Sequence, residues 1–318
     1  MSFTSRRRFL TAATAAVLAG GIPMQLARGE EADTKPLTGF IDAHSHIWTR
    51  DIERFPLNPE SSLEKLDPPS FTTEELFELI RPHGVDRVVL IQHRPFHGWD
   101  NSYVLDAARR FPANFRVVAM IDDRAGDTGK KMRELSKQHA TGFRIGPGAY
   151  GEKWLEGEGM AEMWRTAAET RQNMCCLVNP GDLEAVDAMC ARFPETPVVI
   201  DHLGRVGISG EIREEDTAAL CKLARHKHVR VKVSAFYALG AKKPPHTELA
   251  PLIRRVVEAF GCERLMWASD CPYQLLKGNT YEASLALITE KLDFLTADDR
   301  DRLLRRTAEE TFQFPRAG

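Results

Sequence analysis

Gly39-Phe-Ile-Asp-Ala-His-Ser-His-Ile-Trp48 is the stretch that decides the fold of this chain. Its apolar start predicts a short buried strand, and Asp42, His44 and His46 follow at intervals of two. Residues two apart on a strand point to the same face, so both imidazoles leave the strand tip side by side. Neutral imidazole nitrogen is a good ligand for zinc and related ions. The stretch therefore predicts a first strand that ends in two metal ligands, with two surface histidines in a loop as the alternative.

Downstream of this stretch, short apolar segments alternate with segments of helical periodicity. The further predicted strands cover residues 87–92, 115–121, 142–145, 174–178, 197–202, 229–234 and 264–270. Because continuous Val, Ile and Leu runs indicate strands buried on both faces, the sheet is predicted to be parallel. Eight strand-helix units predict an α/β fold of the (β/α)8 TIM barrel class in a single domain. An open doubly wound sheet is the alternative, although no G-x-G-x-x-G motif follows the first strand to support its dinucleotide-binding form.

The first residues of the chain have the pattern of an export signal. Ser5-Arg-Arg-Arg-Phe-Leu10 precedes an Ala-rich apolar run from Thr11 to Ile22, which is typical of twin-arginine signals. The run is shorter than the roughly 20 residues that a membrane-spanning helix needs, and an uncleaved anchor is the alternative. We therefore predict a signal peptide and linker over residues 1–32 and a barrel domain over residues 38–315. The mature protein would be periplasmic or secreted, without stable membrane insertion after signal removal.

Composition narrows the choice of partners. The formal net charge of -2 implies no general attraction to nucleic acid. The six cysteines show no C-x-x-C pattern, so we predict neither a zinc finger nor a disulfide. Cys175 and Cys176 are adjacent in a predicted strand and should therefore point to opposite faces. A small-molecule substrate is the expected partner, and the sequence does not indicate an oligomeric state.

The polar residues at the carboxyl ends of the strands form the candidate site, because the chemistry of a (β/α)8 barrel lies there. These residues are Asp42, His44, His46, Gln92, His93, Asp122, Asp123, Arg144, Asn179, Asp201, His202, Lys232, Ser234 and Asp270. Four of them would suit one divalent ion with room for a water molecule: His44, His46, His202 and Asp270. Metal-bound water has a pKa near neutrality, and a nearby carboxylate takes its proton as the water attacks.

Three motifs in this order resemble the amidohydrolase superfamily: Asp42-Ala-His-Ser-His46, Asp201-His-Leu-Gly204 and Ala268-Ser-Asp-Cys-Pro272. The chain is most similar to the amidohydrolase-related (amidohydrolase-2) family of barrel hydrolases. Gln92 and the segment Asp100-Asn-Ser-Tyr103 resemble the lactonase branch of that family, which includes fuconolactonase and pyrone-dicarboxylate lactonase. The strand Gly142-Phe-Arg144 matches as well, and the resemblance covers the chain from Gly39 to about Phe314.

The resemblance implies roles for individual residues. Asp270 would be the general base that activates water, and His202 would bind metal or polarise the substrate carbonyl. His44 and His46 would be metal ligands, or polar contacts to the substrate in members that work without metal. Arg144 would hold a substrate carboxylate or the developing oxyanion. The predicted substrate contacts are Gln92, His93, Arg144 and Tyr237.

Two departures from the family pattern limit what the resemblance implies. The ligand histidine at the end of strand 5 is missing, because that strand ends at Val178-Asn-Pro180. Arg144 stands in the strand where two-metal members carry a bridging lysine. A two-metal site is therefore not expected, and we predict one divalent ion, zinc or manganese, with activity without metal as the alternative. For Arg144 a structural role is also open, as an ion pair with Asp122 or Asp123.

Together these features predict an exported hydrolase that opens a lactone of a sugar acid or small carboxylate. Water would be activated by Asp270 at a mononuclear metal site. One alternative is a metal-dependent non-oxidative decarboxylase on the same scaffold, and the missing strand 5 histidine counts against it. The other alternative is a barrel that binds a carbohydrate or its acid without catalysing a reaction.

Overall fold

Eight parallel strands follow one another around a single sheet in chain order. A computed structural model describes residues 37–315. The strands are β1 (Phe40–Ser45), β2 (Val85–Ile91), β3 (Phe115–Ala119), β4 (Ala140–Ile145), β5 (Asn173–Cys176), β6 (Val198–Ile200), β7 (Val229–Ser234) and β8 (Leu265–Ala268). Backbone hydrogen bonds of 2.8 Å, from His46 to Cys271 and from Asp270 to His44, join the end of β1 to the segment after β8. The predicted (β/α)8 barrel is confirmed.

Helices lie between the strands, as the alternation of apolar and helical segments predicts. They are α1 (Thr73–Ile80), α2 (Arg94–His97), α3 (Ser102–Arg110), α4 (Thr128–Ser136), α5 (Pro147–Tyr150), α6 (Glu158–Thr170), α7 (Leu183–Arg192), α8 (Glu214–Lys222), α9 (Ala250–Phe260), α10 (Tyr281–Ala286), α11 (Ala297–Asp301) and α12 (Thr307–Thr311). Two π-helical segments follow α10 and α11, at Leu287–Lys291 and Arg302–Arg306. Helix α1 begins with a capping box, in which the Glu75 backbone donates to the Thr72 side chain and the Thr72 backbone donates to the Glu75 side chain.

Apolar side chains pack on both faces of the strands, which explains their continuous apolar sequences. Cys175 belongs to the cluster inside the barrel, with Val199 and Met266. Its neighbour Cys176 belongs to the larger cluster between the strands and the helices. The two thiols therefore point to opposite faces as predicted, and all six cysteines are free.

The amino-terminal end of the barrel is filled by the end of the described chain. Phe312 and Phe314 pack into the interior cluster. Beside them, the buried guanidinium of Arg87 lies 3.6 Å from the Glu309 carboxylate. Side chains of the described residues therefore fill this end of the barrel.

The segment between β1 and α1 contributes more to the core than its polar, proline-rich sequence predicts. Trp48, Phe55 and Leu66 are buried in it. The backbone of Trp48 also pairs with that of Phe71. Its apolar residues are too widely spaced to produce a period, so the sequence does not reveal that they are buried.

The predicted export signal, residues 1–32, lies outside the described residues. Among residues 37–315, no helix combines the length and the hydropathy needed to cross a membrane.

Candidate active site

A cavity of about 370 Å³ opens at the carboxyl ends of the strands. Its polar lining consists of His46, Gln92, His93, Arg94, Arg144, His202, Arg205, Tyr237, Asp270 and Tyr273. All predicted substrate contacts and three of the four predicted metal-binding residues are in this set. The fourth, His44, is fully buried directly beside them. Among the described residues Asp270 is the only acidic one that lines the cavity, and three arginines line it as well.

Asp270 is the residue on which the other polar groups converge. Its Oδ1 lies 3.4 Å from Nε2 of His44 and 3.3 Å from Nε2 of His46. Its Oδ2 lies 3.7 Å from Nε2 of His202 and accepts a 2.7 Å hydrogen bond from the hydroxyl of Tyr237. Burial and the adjacent carboxylate raise the pKa of Tyr237, so this hydroxyl stays protonated and donates. Tyr237, predicted as a substrate contact, therefore also holds the predicted base.

A left-handed turn after β6 brings two residues into the cavity. His202, Leu203, Gly204 and Arg205 have φ values of 57°, 53°, 60° and 55°. This conformation costs about 1–2 kcal/mol for each residue other than glycine, so the surrounding packing must hold it. The turn directs both His202 and Arg205 to the same cavity. Arg205 was not among the predicted site residues, because nothing in its local sequence indicates a left-handed turn.

The charge states in the site follow from burial and from neighbouring charges. Burial alone would raise the pKa of Asp270, but His202, His46 and His44 hold that pKa well below its ordinary value. Burial lowers the pKa of His202 to about 4. Burial, reinforced by Lys232, also lowers the pKa of His44 well below its ordinary value. At neutral pH the site therefore contains an ionised carboxylate beside the neutral imidazoles of His44 and His202.

Two of the three histidines present a bare nitrogen to the centre of the site. Nδ1 of His46 lies 2.9 Å from the carbonyl oxygen of Ile91, which only accepts hydrogen bonds. Nδ1 of His202 lies 2.9 Å from the Ser234 hydroxyl, which in turn donates to the carbonyl oxygen of Lys232. Each ring therefore carries its proton on Nδ1 and leaves the lone pair of Nε2 directed toward Asp270.

A buried ion pair lies beneath the cavity. Nζ of Lys232 is 3.0 Å from Oδ1 of Asp201, and both side chains are fully inaccessible to solvent. The same Nζ lies 3.1 Å from Nδ1 of His44. Both residues are among the polar strand ends that form the predicted site, but the sequence gives neither of them a role there. Their contact depends on β6 and β7 being neighbours, which the order of the strands could have suggested.

Asp42 performs a structural task behind the site. Its carboxylate accepts hydrogen bonds from the Ser269 backbone and hydroxyl, at 2.8 and 2.5 Å, and from the Tyr281 hydroxyl at 3.1 Å. Burial raises the pKa of Asp42 to about 6, although these hydrogen bonds oppose the increase. The first residue of the Asp-x-His-x-His motif therefore ties β1 to the segment after β8 and positions Asp270.

Arg144 faces the cavity as predicted. Its guanidinium lies 3.5 Å from Nε2 of His46, and its Nε lies 3.8 Å from the Asp201 carboxylate. The alternative partner Asp122 instead pairs with Arg124 at 3.3 Å. Among the described residues the carboxylate beside Arg144 is therefore that of Asp201 and not that of Asp122, and Arg144 also lines the cavity.

The predicted contacts on the β2 side also line the cavity, but they make hydrogen bonds within the protein. The side-chain amide of Gln92 donates to the backbone oxygens of Gly98 and Asp100 and so holds the loop after β2. His93 is hydrogen-bonded through Nε2 to the hydroxyl of Tyr273. These contacts shape the wall of the cavity next to Arg94.

The donor set at the centre fits a single divalent ion. Nε2 of His44 and Oδ1 of Asp270 are buried and have no hydrogen-bond partner among the described residues. The distances of 3.4 and 3.3 Å from this oxygen to His44 and His46 are close to the roughly 3.4 Å between two ligands of a tetrahedral ion with bonds of about 2.1 Å. Asn179 stands at the end of β5, where the resemblance predicts a further ligand histidine. Its side chain caps the turn Pro180–Asp182. One ion therefore fits these residues.

Comparisons with known proteins identify the family of this chain and several relatives. A family model described as amidohydrolase matches residues 41–314. L-fucono-1,5-lactonase from Burkholderia ambifaria is 29% identical over 274 residues, which are 84% of this chain and 93% of that protein. 4-Sulfomuconolactone hydrolase from Hydrogenophaga intermedia is 27% identical over 239 residues, which are 74% of this chain and 75% of that protein.

Among solved structures, an amidohydrolase from Burkholderia multivorans with bound zinc has the same fold. It superposes with a TM-score of 0.72 at 23% identity and covers 87% of this chain and 99% of that chain. This likeness supports the barrel architecture.

Proposed function

Because the chain belongs to the amidohydrolase family, we propose that this hydrolase opens a lactone ring. The observation that carries the proposal is the Asp270 carboxylate in the cavity wall, within 3.7 Å of three imidazoles and bonded to a tyrosine hydroxyl. An ionised carboxylate in this position suits a general base. The names of the two relatives, a fuconolactonase and a sulfomuconolactone hydrolase, support a cyclic ester as the substrate.

The proposed reaction requires one proton acceptor and one group that stabilises negative charge. Asp270 accepts a proton from water as the water oxygen attacks the lactone carbonyl carbon. Arg144 stabilises the negative charge that develops on the carbonyl oxygen. The tetrahedral intermediate then breaks its bond to the ring oxygen, and Asp270 returns the proton to that oxygen. The product is an open-chain hydroxy acid, whose carboxyl group releases one proton at neutral pH.

We propose that one divalent ion, zinc or manganese, belongs to this site. Nε2 of His44, Nε2 of His46 and Asp270 would hold it, with His202 as the fourth predicted ligand. When bound, the ion would supply Lewis acidity that lowers the pKa of water. The zinc in the solved relative supports this assignment. In the alternative without metal, Asp270 takes the proton unaided while the histidines and Arg144 polarise the carbonyl.

The cavity favours a substrate that carries a carboxylate in addition to its cyclic ester. Arg94, Arg144 and Arg205 line the cavity, whereas Asp270 is the only acidic residue in the part of its lining that residues 37–315 provide. Nε of Arg94 is buried and has no hydrogen-bond partner within residues 37–315, and the Arg94 guanidinium lies 5.2 Å from the centroid of the Trp99 ring. Unpaired guanidinium groups in a cavity are good binding partners for carboxylates.

Replacing Arg205 with Met is expected to raise KM for a carboxylated lactone about 10- to 100-fold. The reason is the loss of a charge-assisted hydrogen bond, which contributes about 1.5–3 kcal/mol. KM and kcat for an uncharged sugar lactone should change little. The measurement is steady-state kinetics with both substrates, and Arg124→Met is the control because Arg124 is an exposed arginine outside the cavity lining. Equal changes in KM for charged and uncharged lactones would contradict a carboxylate contact.

Purified protein is expected to contain about one zinc or manganese ion per chain, and His46→Ala should lose most of it. The reason is that Nε2 of His46 lies 3.3 Å from Oδ1 of Asp270 and is one of the four predicted ligands of the ion. The measurement is elemental analysis by mass spectrometry, and His83→Ala, away from the cavity, serves as the control. Full turnover after complete removal of metal by a chelator would establish the metal-free alternative.

A panel of lactones tests the reaction itself. Carboxylated and uncharged lactones are incubated with the enzyme, and proton release is followed with a pH indicator. The expected product is the ring-opened acid, heavier than the substrate by one water molecule. Release of carbon dioxide would identify the decarboxylase alternative. Ligand-induced thermal stabilisation without product from any lactone would identify the binding-protein alternative.

We also propose that the protein is exported by the twin-arginine route. The support is the Arg-rich start and the apolar run that follows it in residues 1–32. Fractionation of cells that produce the full chain tests this proposal.

A further inference from the structure

One sector of the cavity wall is apolar, and the proposed reaction assigns its side chains no part. Strands β3, β4 and β5 are neighbours in the sheet, so the residues at their carboxyl ends lie side by side. Among the described lining residues between positions 120 and 177, Arg144 is the only one with a polar side chain. Met120 follows β3 and Leu177 follows β5, so the two apolar side chains flank Arg144 in the wall.

Leu177 faces the cavity because side chains alternate along a strand. It lies two residues after Cys175, whose side chain belongs to the cluster inside the barrel. Its backbone N–H donates a 2.9 Å hydrogen bond to the carbonyl oxygen of Ile145. The chain after β4 also approaches it closely, since a Cβ atom on Gly146 would lie 2.3 Å from the Leu177 carbonyl oxygen. These backbone contacts hold Leu177 in the wall, whereas Asn179 lies outside the lining.

Met120 is fixed in a similar way on the β3 side. The Asn101 side chain accepts a 2.8 Å hydrogen bond from the Met120 N–H and donates another of 2.8 Å to the Met120 carbonyl oxygen. Both polar backbone groups of Met120 are therefore engaged. A thioether sulfur is only a weak hydrogen-bond acceptor, so the Met120 side chain offers a surface for packing.

Neutral polar groups elsewhere in the lining make hydrogen bonds within the protein. The Gln92 amide donates to two backbone oxygens, and the Tyr237 hydroxyl donates to Asp270. The Tyr273 hydroxyl is hydrogen-bonded to His93. The hydroxyl groups of a bound sugar lactone would therefore meet apolar side chains or donors that are already used. Burial of a hydroxyl group without a hydrogen-bond partner is unfavourable.

We propose that the preferred substrate is a carboxylated lactone whose ring carries no hydroxyl groups, and that Met120 and Leu177 determine this preference. The proposal rests on the proposed function, because it takes the same cavity as the site of lactone opening. The arginines of the lining can bind a carboxylate on either kind of lactone. The apolar sector instead distinguishes a hydroxyl-free ring, which packs against it, from the ring of a sugar acid.

The first test compares two lactones that differ only in two hydroxyl groups. One is 5-oxotetrahydrofuran-2-carboxylate, and the other is its 3,4-dihydroxy derivative, the 1,4-lactone of a five-carbon sugar diacid. For each, kcat/KM of the full chain is divided by the rate constant for hydrolysis by hydroxide, which corrects for intrinsic reactivity. We expect the hydroxyl-free lactone to be favoured about 10- to 100-fold, the scale on which an apolar pocket rejects an added hydroxyl. An equal or higher value for the dihydroxy lactone would overturn the proposal.

Substitutions in the apolar sector test the two residues. Leu177→Asn introduces an amide of similar size and should reduce the preference about tenfold, whereas Leu177→Met should keep it. Met120→Gln should act in the same direction and replaces the first variant if that one does not fold. Leu105→Asn is the control, because Leu105 is a partly buried leucine outside this cavity. An unchanged preference in Leu177→Asn and Met120→Gln would contradict the roles of these residues.

A binding experiment separates this inference from the proposed function. In 3-oxocyclopentane-1-carboxylate and its dihydroxy derivative, CH2 replaces the ring oxygen, so neither compound can be opened by hydrolysis. Calorimetry with the natural protein should show about tenfold or tighter binding of the hydroxyl-free analogue. This preference in a protein that hydrolyses no lactone would refute the proposed function alone. An active lactonase that binds the two analogues equally, or favours the dihydroxy one, would refute this inference alone.

Discussion

Asp270→Asn is expected to lower kcat for the lactone about 1,000-fold or more while the barrel stays folded. Asparagine has nearly the same shape and still accepts the hydrogen bond from Tyr237, but it cannot take a proton from water. Loss of a general base typically costs 10²- to 10⁴-fold, and loss of a carboxylate contact to metal adds to it. The measurement is steady-state kinetics together with thermal unfolding of the same preparation.

Asp122→Asn is the matched control for this substitution. Asp122 also follows a barrel strand, but it pairs with Arg124 and lies outside the cavity lining. Its variant should retain the activity of the natural protein. If Asp270→Asn retained full turnover, water activation by this carboxylate would be excluded. If neither the natural protein nor Asp270→Asn hydrolysed a lactone and both bound it equally, the barrel would be a binding protein.

Lys232→Met is expected to lower the free energy of unfolding by about 3–5 kcal/mol. The reason is that Asp201 is fully buried and would lose its nearest cation, which leaves a charge in an apolar interior. The more distant Arg144, with Nε 3.8 Å from Asp201, cannot replace a contact of 3.0 Å. Adding Asp201→Asn should recover most of the loss, because the second charge is then removed as well. Urea unfolding of both variants measures the difference.

Lys222→Met provides the surface counterpart. Lys222 lies 3.1 Å from Asp187, almost the same distance as in the buried pair, but its side chain is 54% exposed. Asp187 also keeps its contacts with Arg225 and His226. Exposed ion pairs contribute about 0–1 kcal/mol, so this variant should unfold almost as the natural protein does. Similar losses for the two lysines would show that burial does not set the cost.

Most of the barrel follows from local patterns in the sequence. The apolar start of β1 and the seven later apolar segments predict the strands, and the helical segments between them require a parallel sheet. The gathering of His44, His46, His202 and Asp270 follows from the same topology, because the carboxyl ends of parallel strands meet at one end of the barrel. A repeated strand-helix order thus brings residues together that are more than 200 positions apart in the chain.

Other features depend on packing that no local pattern contains. Arg205 reaches the cavity through a left-handed turn. Residues other than glycine disfavour this conformation, so the backbone propensity of His202, Leu203 and Arg205 predicts negative φ angles. Trp48 is buried although its segment is rich in proline and polar residues. In both cases contacts with distant parts of the chain outweigh the local preference.

The sequence by itself determined the barrel, the strand ends that meet and the residue types available for hydrolysis there. Only the tertiary structure decided how those residues are charged and protonated. The contact between Lys232 and His44 joins residues 188 positions apart at 3.1 Å, and Asp201 is buried beside both. Periodicity along a chain specifies which face a side chain occupies. The state of a proton depends on the donor or acceptor within hydrogen-bond distance, and that neighbour is set by the three-dimensional packing.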